Sequence, residues 1–156
     1  MRTIYVYENK SPTPRIVEVV SQGLPGPRGA AGRDGTTVAI TAGFTAGPAL
    51  SALRMVYVDD ADALQYANND TIDQVRRVIG MTAAAAAIGA DVDVVVAGPY
   101  EDANWAWDVN GDAGLYLGMN GAIVQGAPTA AVIMRIGTVI TATKILLRLG
   151  EPILSA

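Results

Sequence analysis

Apolar residues fall along this chain in short runs, broken every few positions by Gly, Pro, Asn or Asp. That punctuation predicts strands and turns, with little room for long helices. The first two β-prone runs are Thr3–Tyr7 and Ile16–Val20. Pro12 and Pro14 lie between them and hold Ser11 and Thr13 extended. Each run is too short to be stable alone, so residues 1–22 are expected to form an arm that needs a partner surface.

Beyond the arm, residues 36–54 are rich in Thr, Ala and Gly and read as an irregular lead-in. Strand candidates then follow in quick succession. Met55–Val58 leads through the turn Asp59-Asp60-Ala61-Asp62 into Leu64–Ala67. Val75–Met81, Val92–Ala97, Trp105–Trp107, Leu115–Leu117, Ala122–Gln125, Val132–Ile140 and Lys144–Leu149 continue the series. Asn110-Gly111 and Asn120-Gly121 separate apolar runs and are hairpin signals, because both residue types tolerate positive φ. Ala83–Ala87 has the strongest helix propensity, so a short helix is set against a strand within 71–90, with Thr71 as its N-cap. Residues 36–156 are thus expected to form a β-barrel or sandwich head, and the chain is mainly β.

Between arm and head lies a different pattern. Gly23, Gly26, Gly29, Gly32 and Gly35 recur at every third position, with Pro25 and Pro27 among them. A flexible linker has no reason to keep that period. A collagen-like triple helix requires it, since only a hydrogen side chain fits where each of three chains crosses the common axis. Residues 23–35 are therefore expected to be a triple-helical stalk whose axis those five glycines line. A stalk this short needs its chains gathered by the flanking parts, which makes the whole a homotrimer.

Composition sharpens the picture by exclusion. Apolar residues make up 51% of the chain with one Phe and two Trp, so the core is aliphatic and suited to burial against copies of itself. There is no Cys and no His. Disulfides, thiolate metal sites and every catalytic scheme that uses imidazole are excluded. The start of the chain is too polar by Glu8 and Lys10 for a signal peptide. No apolar run is long enough to span a bilayer, so no membrane insertion is expected. Residues 1–35 carry five basic and three acidic groups, and the remainder six basic against twelve acidic. An acidic body without a Lys/Arg cluster does not suit nucleic acid.

Little in the sequence carries chemistry. Asp59, Asp60 and Asp62 could gather calcium but read better as a solvated turn. Asp108-Val-Asn110-Gly111-Asp112 begins like a calcium loop and fails at Met119, where a bidentate Glu should close it. Glu101 with Asp102 or Asp108 is a conceivable carboxylate pair for sugar hydrolysis, but sequence neighbours are not a catalytic pair and nothing in the sequence fixes their separation. No catalytic residue, metal or cofactor is expected. Trp105 and Trp107 alternate in a strand candidate, so both rings face one side. They form a candidate ligand surface suited to a glycan, set against a role in sealing the core or a subunit interface.

The stretch Ile16-Val-Glu-Val-Val-Ser-Gln-Gly-Leu-Pro-Gly-Pro-Arg-Gly resembles the N-terminal segments of tailed-bacteriophage fibre proteins, where a β-prone stretch runs into collagen-like triplets. Later stretches are similar to the heads of such fibres and to phage capsid decoration (cement) proteins. They are Ala49–Val58, Arg77–Thr82, Gly114–Gln125 and Ile136–Leu147. The resemblance implies an all-β trimeric head and a location on the virion surface after synthesis in the bacterial host cytoplasm. It transfers no active-site residues. The expected function is structural: a capsid-attached fibre or decoration docked on a capsid or other virion protein through its arm. Tyr5, Val6, Tyr7, Ile16 and Val19 are the expected apolar contacts of that docking, and Arg2, Lys10 and Arg15 would meet an acidic surface. The alternative is a tail fibre or adhesin whose head binds a host-surface glycan or protein.

Overall fold

The computed structural model describes residues 3–7, 16–20 and 39–155. The chain divides into two compact units between Asp34 and Gly35. In the first, β1 (Thr3–Tyr7) and β2 (Ile16–Val20) pair antiparallel, with Tyr5 opposite Glu18 and Tyr7 opposite Ile16. This changes the expectation for the arm: the two runs supply each other's inner edge. A lone two-stranded ribbon is still marginal in water. The stalk expected at 23–35, with its axial glycines, and Arg2, Lys10 and Arg15 lie outside the described residues.

The second unit is mainly β. Its strands are β3 (Ile40–Ala46), β4 (Met55–Val58), β5 (Ala63–Tyr66), β6 (Val78–Thr82) and β7 (Asp91–Glu101). After them come β8 (Gly114–Leu117), β9 (Ile123–Gln125), β10 (Val132–Ile133), β11 (Arg135–Thr141), β12 (Lys144–Leu147) and β13 (Ile153–Leu154). A single helical turn, α1 (Ile72–Val75), precedes β6.

Five strands close on themselves. The order β3-β5-β4-β6-β7 returns to its start because β7 also pairs with β3. The only parallel pairing in this ring is β3 with β5. Strand β7 is long enough to serve two structures. Its first part, to Ala97, pairs with β3, and Gly98–Glu101 pair with β12. Gly98 marks the handover at φ 107°, a backbone conformation open to glycine. From β12 a second sheet continues through β11 and β8 to β9. Strands β10 and β13 form a separate pair.

Two cores result. Inside the ring, Ala46, Leu50, Val56, Leu64, Val92 and Val94 are buried, with Phe44, Tyr66 and Val96 half-buried against them. The larger core lies between the ring and the second sheet. Met55, Met81 and Val95, in one row across three ring strands, meet Leu115, Leu117, Ile136, Ile145 and Leu147.

Several sequence expectations are corrected. The lead-in 36–54 contains β3, a seven-residue strand that closes the ring. Its Thr, Ala and Gly content hid an alternation in which Phe44 and Ala46 point inward. The alanine run is not helical, because Ala83 donates to the Asp93 carbonyl and Ala86 bridges Leu50. The helix within 71–90 is only α1, with Thr71 at its N-cap, and a strand follows it. The run Val132–Ile140 is broken at Met134 into β10 and β11. Asn120-Gly121 does make the β8–β9 turn, at φ 51° and 68°. Asn110-Gly111 makes no hairpin: Asn110 N donates to Asp108 Oδ1 at 2.9 Å in a local side-chain turn.

Candidate functional site

Trp105 and Trp107 lie in an extended loop after β7, where a strand was expected. Asp102 organises that loop. Its carboxylate accepts from Asn104 N at 2.8 Å and its carbonyl from Trp105 N at 3.2 Å. Trp107 N donates to the Ala142 carbonyl, which ties the loop to the β11–β12 turn. The alternation still holds: both tryptophans are half-buried on the larger core, and Ala106 between them is exposed.

The rings form a tilted series. Tyr100 and Trp105 have centroids 5.9 Å apart, and Trp105 and Trp107 5.6 Å apart. Both separations lie in the range where tilted aromatic pairs attract. Trp107 Nε1 is buried without an acceptor. Beside the rings is an open depression of about 380 Å³, whose walls include Leu53, Arg54, Ala122 and Ile123. Leu53 adopts φ 59°, and buried Thr82 fixes the segment through Leu53 N, Arg54 N and the Ser51 carbonyl. Arg54 Nη1 reaches toward the Asn120 carbonyl at 3.5 Å. The two indole faces can stack on a flat ring, and the Arg54 guanidinium can donate hydrogen bonds to it, whereas the buried Trp107 Nε1 is out of reach. Among the described residues that line this depression, none carries a carboxylate or a hydroxyl.

The acidic turns are structural where the hydrogen bonds can be followed. Asp59 Oδ1 accepts from Ala61 N at 2.9 Å and Ala63 N at 3.0 Å, and its Oδ2 from Gln65 Nε2 at 2.9 Å. The Ala63 amide and the Gln65 amide are the main causes that hold its carboxyl below the usual value. Asp60 pairs with Arg77 instead of sharing a ligand with Asp59. In the other turn Gln125 Nε2 donates to the carbonyls of Asp108 and Asp112, and Gln125 Oε1 accepts from Asp108 N. Sequence reading missed Gln125, Leu53 and Arg54, since no local motif joins them to residues so distant along the chain.

Of the expected docking residues, Tyr5, Val6, Tyr7, Ile16 and Val19 lie on paired strands, with Val6 opposite Val17 and Val19 opposite Ile4. No family model matches the chain, and no curated protein and no solved structure matches it.

Proposed function

We propose that the chain is a structural protein of a bacteriophage particle, a homotrimeric capsid-attached fibre or decoration. The arm docks on a capsid or other virion protein, the collagen-like stalk spaces it, and the β head projects outward. The observation that carries this reading is the unbroken glycine period from Gly23 to Gly35. It stands between a two-stranded ribbon and a β unit with its own core. A three-chain stalk needs trimeric ends, and a ribbon whose outer edges have no partner among the described residues offers backbone for pairing with another chain.

Deleting residues 1–21 is the direct test. The truncated protein is expected to remain soluble and to be absent from purified particles that incorporate the full chain. Normal occupancy by the truncation would make the head the anchor. For the stalk, Gly29→Val is expected to expose Arg28 and Arg33 to protease while the head survives.

The adhesin reading has one observation in its favour, the depression beside Trp105 and Trp107. It requires Trp105→Ala to lose glycan binding with the head still folded. Retention of that binding would remove the tryptophan face from consideration.

A further inference from the structure

The outer face of the second sheet carries groups that neither core uses. Leu146 lies across from Pro99 on β7 and Thr138 on β11, and remains 40% exposed. Ile140, 49% exposed, stands where β11 and β12 shift register between Val139 and Thr141. Two arginines flank this apolar centre. Arg135 lies along the face, with Nε donating to the Gly137 carbonyl at 3.2 Å and Nη2 to Thr138 Oγ1 at 3.0 Å. Arg148 extends from the end of β12 and is exposed. Together with Leu146, Thr138 and Glu151 they line a depression of about 420 Å³, in which the two arginines outnumber the one acid. Gly137 lets β11 and β12 approach here, since a Cβ there would lie 2.5 Å from the Leu146 carbonyl.

Among the described residues neither arginine has a carboxylate partner, in a body that carries twice as many acidic as basic groups. The ring supplies the opposite charge. Asp91 and Asp93 face outward on β7, across from Thr45 and Gly43, and border a depression of about 500 Å³. Neither aspartate pairs with a cation among the described residues.

We propose that the Arg135–Leu146–Arg148 face of one head docks on the Asp91–Asp93 face of the next copy, and that three such contacts close the trimer. This inference rests on the trimeric reading and names its surfaces. An apolar centre rimmed by arginine matches the anatomy of protein interfaces. The two faces differ, so the contact is head-to-tail, the type that makes a ring when its rotation closes, here after three copies. A two-fold contact of the cationic face with itself would oppose arginine to arginine.

The test uses the full chain, with the urea midpoint of trimer dissociation read by sedimentation. Arg135→Glu with Arg148→Glu is expected to weaken association at least about tenfold, and so is Asp91→Lys with Asp93→Lys. Combining all four substitutions is expected to restore most of the loss. If the charge-reversed arginine protein is misfolded by circular dichroism, Arg135→Gln with Arg148→Gln takes its place with the same expected direction. A trimeric parent whose folded variants dissociate at the parental midpoint would overturn the assignment of faces alone. So would a fourfold variant that recovers nothing. A monomeric parent would instead overturn the trimeric reading beneath it.

Discussion

The ring and the core it shares with the second sheet are built from the same aliphatic residue types, yet they hold very different loads. Among the described residues the lumen buries six apolar ones, three of them valine and one alanine. The shared core buries thirteen of the described residues, including Met55, Met81, Met134, Leu115, Leu117, Ile136, Ile145 and Leu147. The diameter of a closed sheet grows with strand number, and about eight strands are needed before side chains fill the interior comfortably. Five strands leave a narrow lumen that small and β-branched residues fill. Closure removes sheet edges, and most of the apolar burial lies outside the ring. Adjacent residues of β7 show the division: Val94 faces the lumen and Val95 the shared core, and both are fully buried.

Packing is least tolerant of added volume where the two cores meet. A Cβ at Gly80 would collide with the Val95 carbonyl and approach Val94 Cγ1 to 2.8 Å. Gly80→Val is therefore expected to part β6 from β7 and cost more than about 4 kcal/mol. Loss of the near-ultraviolet signal of Trp105 and Trp107 would report it. A smaller effect follows from one substitution made on each side. Leu117→Ala in the shared core is expected near the upper part of about 2–5 kcal/mol, and Leu64→Ala in the lumen near about 2 kcal/mol. Half-buried Phe44 and Tyr66 can close on the lumen cavity, whereas Leu117 belongs to the larger cluster, most of whose buried members are fully enclosed. Urea unfolding decides the order, and a costlier Leu64→Ala would reverse the ranking of the two cores.

Turns give the finer tests. Asn120 holds φ 51° at the β8–β9 turn beside the shared core. Asn120→Val is expected to cost about 1–2 kcal/mol, because a β-branched residue is strained there. Asn110→Val, at a position without positive φ, should change stability by no more than about 0.5 kcal/mol. The smallest effect belongs to the ring turn between β4 and β5. Asp59 has a native pKa below its unfolded value, chiefly through the Ala63 amide. Its contribution is present above the unfolded pKa and disappears as pH falls through the lowered native one. The stability gap between parent and Asp59→Asn should narrow over that acidic window, as pH titration of the unfolding midpoint would record.

Strands with clear patterning were legible along the chain. Thr3–Tyr7, Ile16–Val20 and Met55–Val58 have the bounds their β-prone runs suggest. Asn120-Gly121 was legible as a turn because its chemistry is local. Asn110-Gly111 looked the same in sequence, but Asp108 and Gln125 captured the loop first. Strand β3 was obscured by weak propensity and exists because β7 and β5 offer it two edges. The tryptophan alternation was readable. The depression beside it was not, since Leu53 and Arg54 reach it through a bond network centred on Thr82.

By itself the sequence determined a β-rich, cysteine-free and histidine-free chain with an axial glycine period, because composition and short-range spacing carry those properties directly. Only the tertiary structure decided that β7 pairs with β3 at one end and β12 at the other. It also decided that Val94 and Val95 belong to different cores, and that Arg135 and Arg148 border one depression. The physical reason is that alternation says which residues share a face of a strand. It cannot say which distant strand will cover that face, since that depends on closure and register between segments far apart in the chain.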